Sequence, residues 1–402
     1  MDIARKMAIF APRKTDGKMK FTKLTIALAA IFTAFAPMAQ AQNISFRGGA
    51  SRLLYDGRYF PELFGEGVSP IVPSFDLKIG WRGDSSSPID RACGYPEYGI
   101  AFHLLGLADA VSVNGPGMGN VYSIYGYFDR PLVRAGGFSL GYSAGLGFGF
   151  SFSKNYDPVT NPWNIIISTP VNGHFSLGFH AEYALTEKYE AGLGLWFNHN
   201  SNGAVTFPNK GLNAFELALS LGMKNDGRKA GSKAAVRDDG FRRHFVFNVQ
   251  ASTGIMSNEA LFDRMLEEEG RWVNERYMKY SLNLAALYKY SRTHATGLEF
   301  DLFATPFCDK IAENNGRGET YDPVSVGLSI VHEMRYHNFS TTLNLGRYLY
   351  DNDVLARNKK LYQMVTVKYH FPTLADTYLG FVLKAHKFKA AESFQICIGK
   401  SF

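Results

Sequence analysis

Apolar residues alternate with small or polar ones along most of this chain, and residues 138–152 show the pattern at its longest. Phe138, Leu140, Tyr142, Ala144, Leu146, Phe148, Phe150 and Phe152 occupy one parity, and Ser139, Gly141, Ser143, Gly145, Gly147, Gly149 and Ser151 the other. A period of two predicts an extended strand whose two faces differ. Strands of soluble domains average about five or six residues. A strand this long, greasy on one side and small and polar on the other, suits a barrel that crosses a membrane. The alternation recurs in Phe175, Leu177, Phe179, Ala181 and Tyr183, and again in Val324, Val326, Leu328 and Ile330. The chain ends on a strand pattern closing at Phe402, which resembles the assembly signal of bacterial outer-membrane barrels.

The connections between these strands alternate in length. Tight ones, Leu185-Thr186-Glu187-Lys188 and His337-Asn338, predict periplasmic turns. Long ones, 154–173 and 306–322, predict extracellular loops. Residues 260–274 can hold a short helix in such a loop. The predicted fold class is all-β: one antiparallel transmembrane outer-membrane β-barrel of about 12–16 strands. The alternative is an eight-stranded barrel plus a second strand-rich half.

Composition sharpens this picture. Forty Gly, 32 Phe and 22 Tyr in 402 residues favour strands over helices. Lys18, Lys20 and Lys23 precede a short apolar run, 24–35, and then Ala39-Gln40-Ala41, which together read as a signal peptide. No later apolar run reaches the roughly 20 residues of a spanning helix, so a membrane form must be a barrel. The net charge of +7 lies largely in the leader and in one basic stretch, so it argues for no nucleic-acid partner. The expected organisation is a leader and signal peptide over 1–41, barrel strands over 44–225, a basic periplasmic linker over 226–243, and further barrel strands over 244–402. Cys93, Cys308 and Cys397 make an odd count without metal-ligand spacing.

One hairpin carries candidate chemistry. Leu193, Leu195 and Phe197 continue by parity to His199 and Ser201, so both polar residues lie on the lipid-touching face. Residues i and i+2 stand roughly 7 Å apart along a strand, within leaning reach of an imidazole for a hydroxyl. A serine nucleophile needs such a base. On the return strand Asn213 shares the parity of Phe215, Leu217, Leu219 and Leu221 and emerges beside the pair. Glu216 has the opposite parity and points inward. Asparagine can orient a catalytic histidine, although it supplies no negative charge.

His199-Asn200-Ser201-Asn202-Gly203, followed by Pro208, Gly211-Leu212 and Asn213, resembles the active-site hairpin of PagL-type lipid A 3-O-deacylases, of the acyloxyacyl hydrolase family. Glu97-Tyr98-Gly99-Ile100-Ala101-Phe102-His103 and Tyr156-Asp157-Pro158-Val159-Thr160-Asn161-Pro162 resemble further segments of that family. The resemblance implies an outer-membrane serine hydrolase that removes an ester-linked acyl chain from lipid A. Ser201 would be the nucleophile and His199 its base, with Asn202 and Gly203 assisting the oxyanion and no cofactor or metal. The family's third member is a glutamate, and this chain has Asn213 there. The same hairpin is similar to outer-membrane phospholipase A, whose His-x-Ser-Asn-Gly pairs with a later asparagine. That resemblance implies calcium at the oxyanion site and activation as a homodimer. Lipid A, lipopolysaccharide and membrane lipids are the expected partners, in the bacterial outer membrane. A non-catalytic barrel or a degenerate homologue is the remaining alternative.

Other polar clusters point elsewhere. His332-Glu333 with His337 lacks zincin spacing, and alternation sends His332 and Glu333 to opposite faces. His180 and Glu182 predict an interior polar network.

Overall fold

Among the described residues, sixteen antiparallel strands close into two barrels of eight rather than into one. The computed structural model describes residues 43–54, 71–84, 86–107, 118–152, 155–162, 164–224, 240–270, 273–316, 318, 320–351, 360–388 and 390–402. The expected signal peptide, and 226–239 of the expected linker, lie outside these residues.

The first barrel comprises β1 (Asn43–Leu54), β2 (Ile71–Arg82), β3 (Glu97–Leu105), β4 (Val121–Ala135), β5 (Phe138–Phe150), β6 (Val171–Ala184), β7 (Tyr189–Ser201) and β8 (Leu212–Lys224). It closes by pairing β1 with β8, from Asn43 opposite Lys224 to Leu54 opposite Asn213. The second comprises β9 (His244–Ser257), β10 (Arg276–Lys289), β11 (His294–Ala304), β12 (Val324–Tyr336), β13 (Phe339–Tyr350), β14 (Leu361–Phe371), β15 (Thr377–His386) and β16 (Ala390–Ser401), closed by β16 on β9. Among the described residues, three short α-helices sit in connections: α1 (Pro88–Ala92), α2 (Glu259–Glu269) and α3 (Cys308–Asn314). The expected single barrel is therefore replaced by the two-part arrangement. Alternation tells which way a side chain faces, but it does not tell which strand is its partner. Closure is decided by what fills the lumen.

In the first barrel that filling is tight. Eight strands leave an interior just wide enough for side chains. Arg47 lies over the Trp196 ring at 3.9 Å and pairs with Asp76 at 2.5 Å and Glu216 at 3.3 Å. Tyr125 donates to Asp76 at 2.6 Å, and Asn198 donates to Glu216 at 2.9 Å. The small parity of β5 makes room for these groups: a Cβ at Gly145 would stand 2.5 Å from the Tyr125 ring. Glu216 points inward, as its parity required. His180 also lies inside, 3.0 Å from Asp129 and 3.4 Å from Glu182. The second lumen is likewise polar and packed. Asp301 accepts from Asn283, Ser329 and Tyr362, and Glu392 pairs with Lys279, Lys384 and His386. A wide charged channel is not what these side chains build.

Outward parity is apolar on both barrels. Leu146, Phe148, Phe179, Leu193, Leu195, Leu217, Leu219, Phe247, Leu284, Ile330 and Phe381 are all exposed. Exposure of this much aliphatic and aromatic surface in a closed barrel is what a lipid solvent requires. All three cysteines are free and buried.

An even strand count sets both ends of each barrel on the same side. The tight turns 136–137, 185–188 and 337–338 share one end with the junction from β8 to β9 and with the longer connection 83–96 that carries α1, and the connections 151–170, 202–211 and 305–323 share the other. The barrels touch at both ends. At the turn end Asp90 of α1 accepts from Tyr336 at 2.5 Å and lies 2.8 Å from His337 Nε2. At the loop end the segment after β7 meets the segment around α2. Both barrels therefore run the same way up.

Candidate active site on the outer face of β7 and β8

The site stands where β7 reaches the loop end. Inward Trp196, Asn198 and Asn200 are buried, and outward Leu193, Leu195 and Phe197 lead to His199 and Ser201, both half-buried. The β7–β8 register sets Phe197 opposite Phe215 and His199 opposite Asn213. Directly opposed residues share a face with close Cβ atoms. Asn213 thus reaches His199 across the sheet, while Ser201 reaches it along the strand.

Both contacts form. His199 Nδ1 lies 2.7 Å from Asn213 Oδ1, and His199 Nε2 lies 2.8 Å from Ser201 Oγ. A carboxamide oxygen can only accept, so Nδ1 carries the ring proton and Nε2 presents its lone pair to the hydroxyl. Ser201 then donates to Nε2. This is the geometry of a nucleophile, its base and an orienting group.

Two glycines shape the space around the pair. Gly211 has φ +76°, and a Cβ there would lie 3.0 Å from His199 Cε1 and 3.5 Å from Ser201 Cβ. Gly211→Ala is expected to cost about 1–2 kcal/mol from the left-handed backbone alone, and to push the imidazole off the hydroxyl. An assay of ester cleavage per folded molecule should show a lower kcat. An unchanged kcat would mean that the imidazole tolerates the added methyl. A Cβ on Gly173, opposite Ser201 on β6, would meet only the Ser201 carbonyl, at 3.4 Å, among the described residues, which leaves open space beside the nucleophile.

Beneath the site lies a buried layer. Asn200 Oδ1 is 3.1 Å from His174 Nδ1 and 3.4 Å from Ser123 Oγ, and His174 packs on Tyr125 at 4.8 Å. This layer locks the underside of β7 while its outer face carries the pair.

Asn202 departs from the expectation for it. Its Oδ1 accepts from the N–H groups of Val205 and Thr206 at 3.1 and 3.4 Å, and its Nδ2 donates to Ser168 Oγ and Thr206 O at 3.1 and 2.9 Å. Both ends of the carboxamide are committed to folding its own loop. The Asn202 N–H donates to Asn209 Oδ1 at 3.3 Å. Gly203 has φ +67°, and among the described residues no partner accepts its N–H. Of the two expected oxyanion groups, Gly203 is the one left with an uncommitted donor.

Two further polar groupings lie inside the barrels. Asp76, His103 and Glu216 lie close enough to hold a metal ion, but Arg47, Tyr125 and Asn198 already bind their oxygens inside the lumen. In the second barrel Ser340 Oγ lies 2.9 Å from His370 Nε2, with Asp376 Oδ1 3.5 Å from Nδ1. Sequence reading missed this set, because its members sit on three different elements. Ser340 is buried inside the lumen, so no lipid ester reaches it. His332 and Glu333 do face opposite sides: His332 meets Thr296 and His294, whereas Glu333 lies near Lys368.

Comparison with known proteins adds a second line. Residues 242–402 match the family model described as acyloxyacyl hydrolase, C-terminal domain. The family resemblance read from the hairpin of the first barrel is thus joined by a match that spans the second. No curated protein sequence matches the chain. Among solved structures, the chain is similar to Neisserial surface protein A, at 11% identity and a TM-score of 0.30, over 45% of this chain and 96% of that one. It is also similar to the outer-membrane enzyme PagL, at 16% identity and a TM-score of 0.27, over 44% and 97%. A Rhodopseudomonas blastica porin triple mutant aligns over 90% of this chain and 99% of its own, at 8% identity and a TM-score of 0.17.

Proposed function

We propose that this protein is an outer-membrane serine hydrolase that removes an ester-linked acyl chain from lipid A. The observation that carries the reading is the Asn213–His199–Ser201 relay, made on the outside of a barrel rather than in its lumen. A substrate confined to a membrane leaflet reaches an outward serine by lateral diffusion. A water-soluble ester would gain nothing from that placement. The match of residues 242–402 supports acyl-ester hydrolysis at the family level.

The two relay contacts support acyl transfer through a serine ester. Ser201 Oγ attacks the acyl carbonyl carbon as His199 Nε2 takes the hydroxyl proton. The carbonyl oxygen gains negative charge beside the Gly203 N–H, where a fixed donor is worth more than water. The tetrahedral centre collapses, the ester C–O bond breaks, and His199 returns the proton to the leaving oxygen. Water, deprotonated by His199, then attacks the acyl-serine. The fatty acid leaves and Ser201 regains its proton. Asn213 holds the ring tautomer throughout.

A second reading, an outer-membrane phospholipase A that uses calcium, is favoured by one feature: the orienting residue is an asparagine. Mass spectrometry of lipid A and phospholipids from outer membranes carrying the protein or its Ser201→Ala variant separates the two. Lipid A short of one acyl chain only when Ser201 is present is the expected result. Lysophospholipid beside intact lipid A would favour the phospholipase. No serine-dependent change in either pool, with the barrel folded, would refute both and leave a non-catalytic barrel.

A further inference from the structure

The loop that follows the nucleophile is held from outside its own barrel. Asn274, between α2 and β10, bonds both the N–H and the carbonyl of Phe207. The Phe207 N–H donates to Asn274 Oδ1 at 2.9 Å, and Asn274 Nδ2 donates to the Phe207 carbonyl at 2.8 Å. Arg276, the first residue of β10, donates from Nε to the Val205 carbonyl at 3.1 Å and from Nη2 to Thr206 Oγ1 at 2.8 Å. Ser257, the last residue of β9, donates from Oγ to the Val205 carbonyl at 2.6 Å and from its N–H to the Ala204 carbonyl at 3.1 Å. Apolar contact closes the same seam: Ala204 and Phe207 pack with Tyr156 and with Phe262 of α2. Gly203 itself lies against the second barrel, where a Cβ would stand 3.4 Å from Phe394 Cβ and 3.5 Å from Leu383 Cδ1.

The backbone of this loop is therefore satisfied from two sides. Asn202 takes the Val205 and Thr206 N–H groups from within. The second barrel takes the Ala204, Val205 and Phe207 carbonyls and the Phe207 N–H from without. A loop must be locked by its surroundings before a donor on it can act as a preorganised one.

We propose that the second barrel is part of the catalytic apparatus of the first, with Asn274 and Arg276 as positioning residues that set the loop bearing Gly203. The inference rests on the reading of Ser201 as nucleophile. A group that sharpens alignment for the reacting state acts on kcat, whereas one that merely adds stability lowers the folded fraction.

The full-length protein in mixed detergent micelles, with p-nitrophenyl laurate as probe, supplies the test. A fluorophosphonate counts the reactive serines, and heat-modifiable gel mobility reports the folded fraction. Asn274→Ala and Arg276→Ala should each lower kcat per counted serine about tenfold, and the double variant about a hundredfold, with KM changed less than about twofold. Wild-type kcat per counted serine in both single variants, beside an inactive Ser201→Ala, would overturn the positioning role and leave the nucleophile standing. Full activity in Ser201→Ala would instead overturn the reading of the site, and this inference with it. The single variants each leave most of the seam intact, so a folding failure of the double variant does not block the measurement.

Discussion

Replacing His199 by alanine is expected to lower kcat for ester cleavage by about 10⁴-fold or more, and replacing Ser201 to do much the same. The two side chains act as one unit across a 2.8 Å contact, so the double variant should be barely worse than either single one. Multiplying penalties would mean that the residues work independently, and the relay would then be wrong. Asn213→Ala should lose less, about 10- to 100-fold. Its carboxamide fixes the Nδ1 proton at 2.7 Å but brings no charge to stabilise the imidazolium. Steady-state rates on micellar esters, normalised to folded protein, measure the whole series. The outward direction of these side chains predicts little loss of stability in any of the three variants.

The largest expected effect on stability lies inside the barrel. Arg47 is 2% exposed and holds Asp76 and Glu216, themselves 1% and 0% exposed. Removing it leaves two carboxylates facing each other in a closed lumen. Breaking a buried charge cluster from one side costs about 3–5 kcal/mol. Arg47→Met should therefore lower the urea midpoint of the folded, heat-modifiable form sharply, or prevent its formation. Neutralising the partners as well, in Arg47→Met with Asp76→Asn and Glu216→Gln, should recover much of the loss, because hydrogen bonds from Tyr125 and Asn198 remain. An unfolding free energy for Arg47→Met within about 1 kcal/mol of the parent would show that the lumen admits enough water to solvate both acids. The same cluster supports the site from below. Asn198, bonded to Glu216, is an inward neighbour of the outward His199 on β7, and Trp196, under the Arg47 guanidinium, is the next inward residue along the strand.

Much of this was legible in the order of residues because a strand has a period of two. Parity alone sends His199, Ser201 and Asn213 outward and Glu216 inward, and the antiparallel return of β8 along β7 brings Asn213 back beside His199. The contacts Nδ1–Oδ1 and Nε2–Oγ follow from local geometry, which needs no knowledge of distant segments. The polar lumen was legible for the same reason, as were the turns at 185–188 and 337–338 and the helix between β9 and β10.

What sequence alone could not decide is everything that depends on a partner far along the chain. Alternation is identical whether β8 pairs with β9 or returns to β1. Only the fit of Arg47, Trp196 and Tyr125 into an eight-stranded lumen chooses the return, and so makes two barrels instead of one. Asn202 looked from its motif like a group aimed at the substrate. The fold spends its carboxamide on Ser168, Val205 and Thr206, because a loop leaving a barrel rim must satisfy its own backbone. Asn274 and Arg276 carry no signal of their own in the sequence. They meet Phe207, Val205 and Thr206 across about seventy residues of chain, a contact that exists only once both barrels have closed with their long loops at the same end.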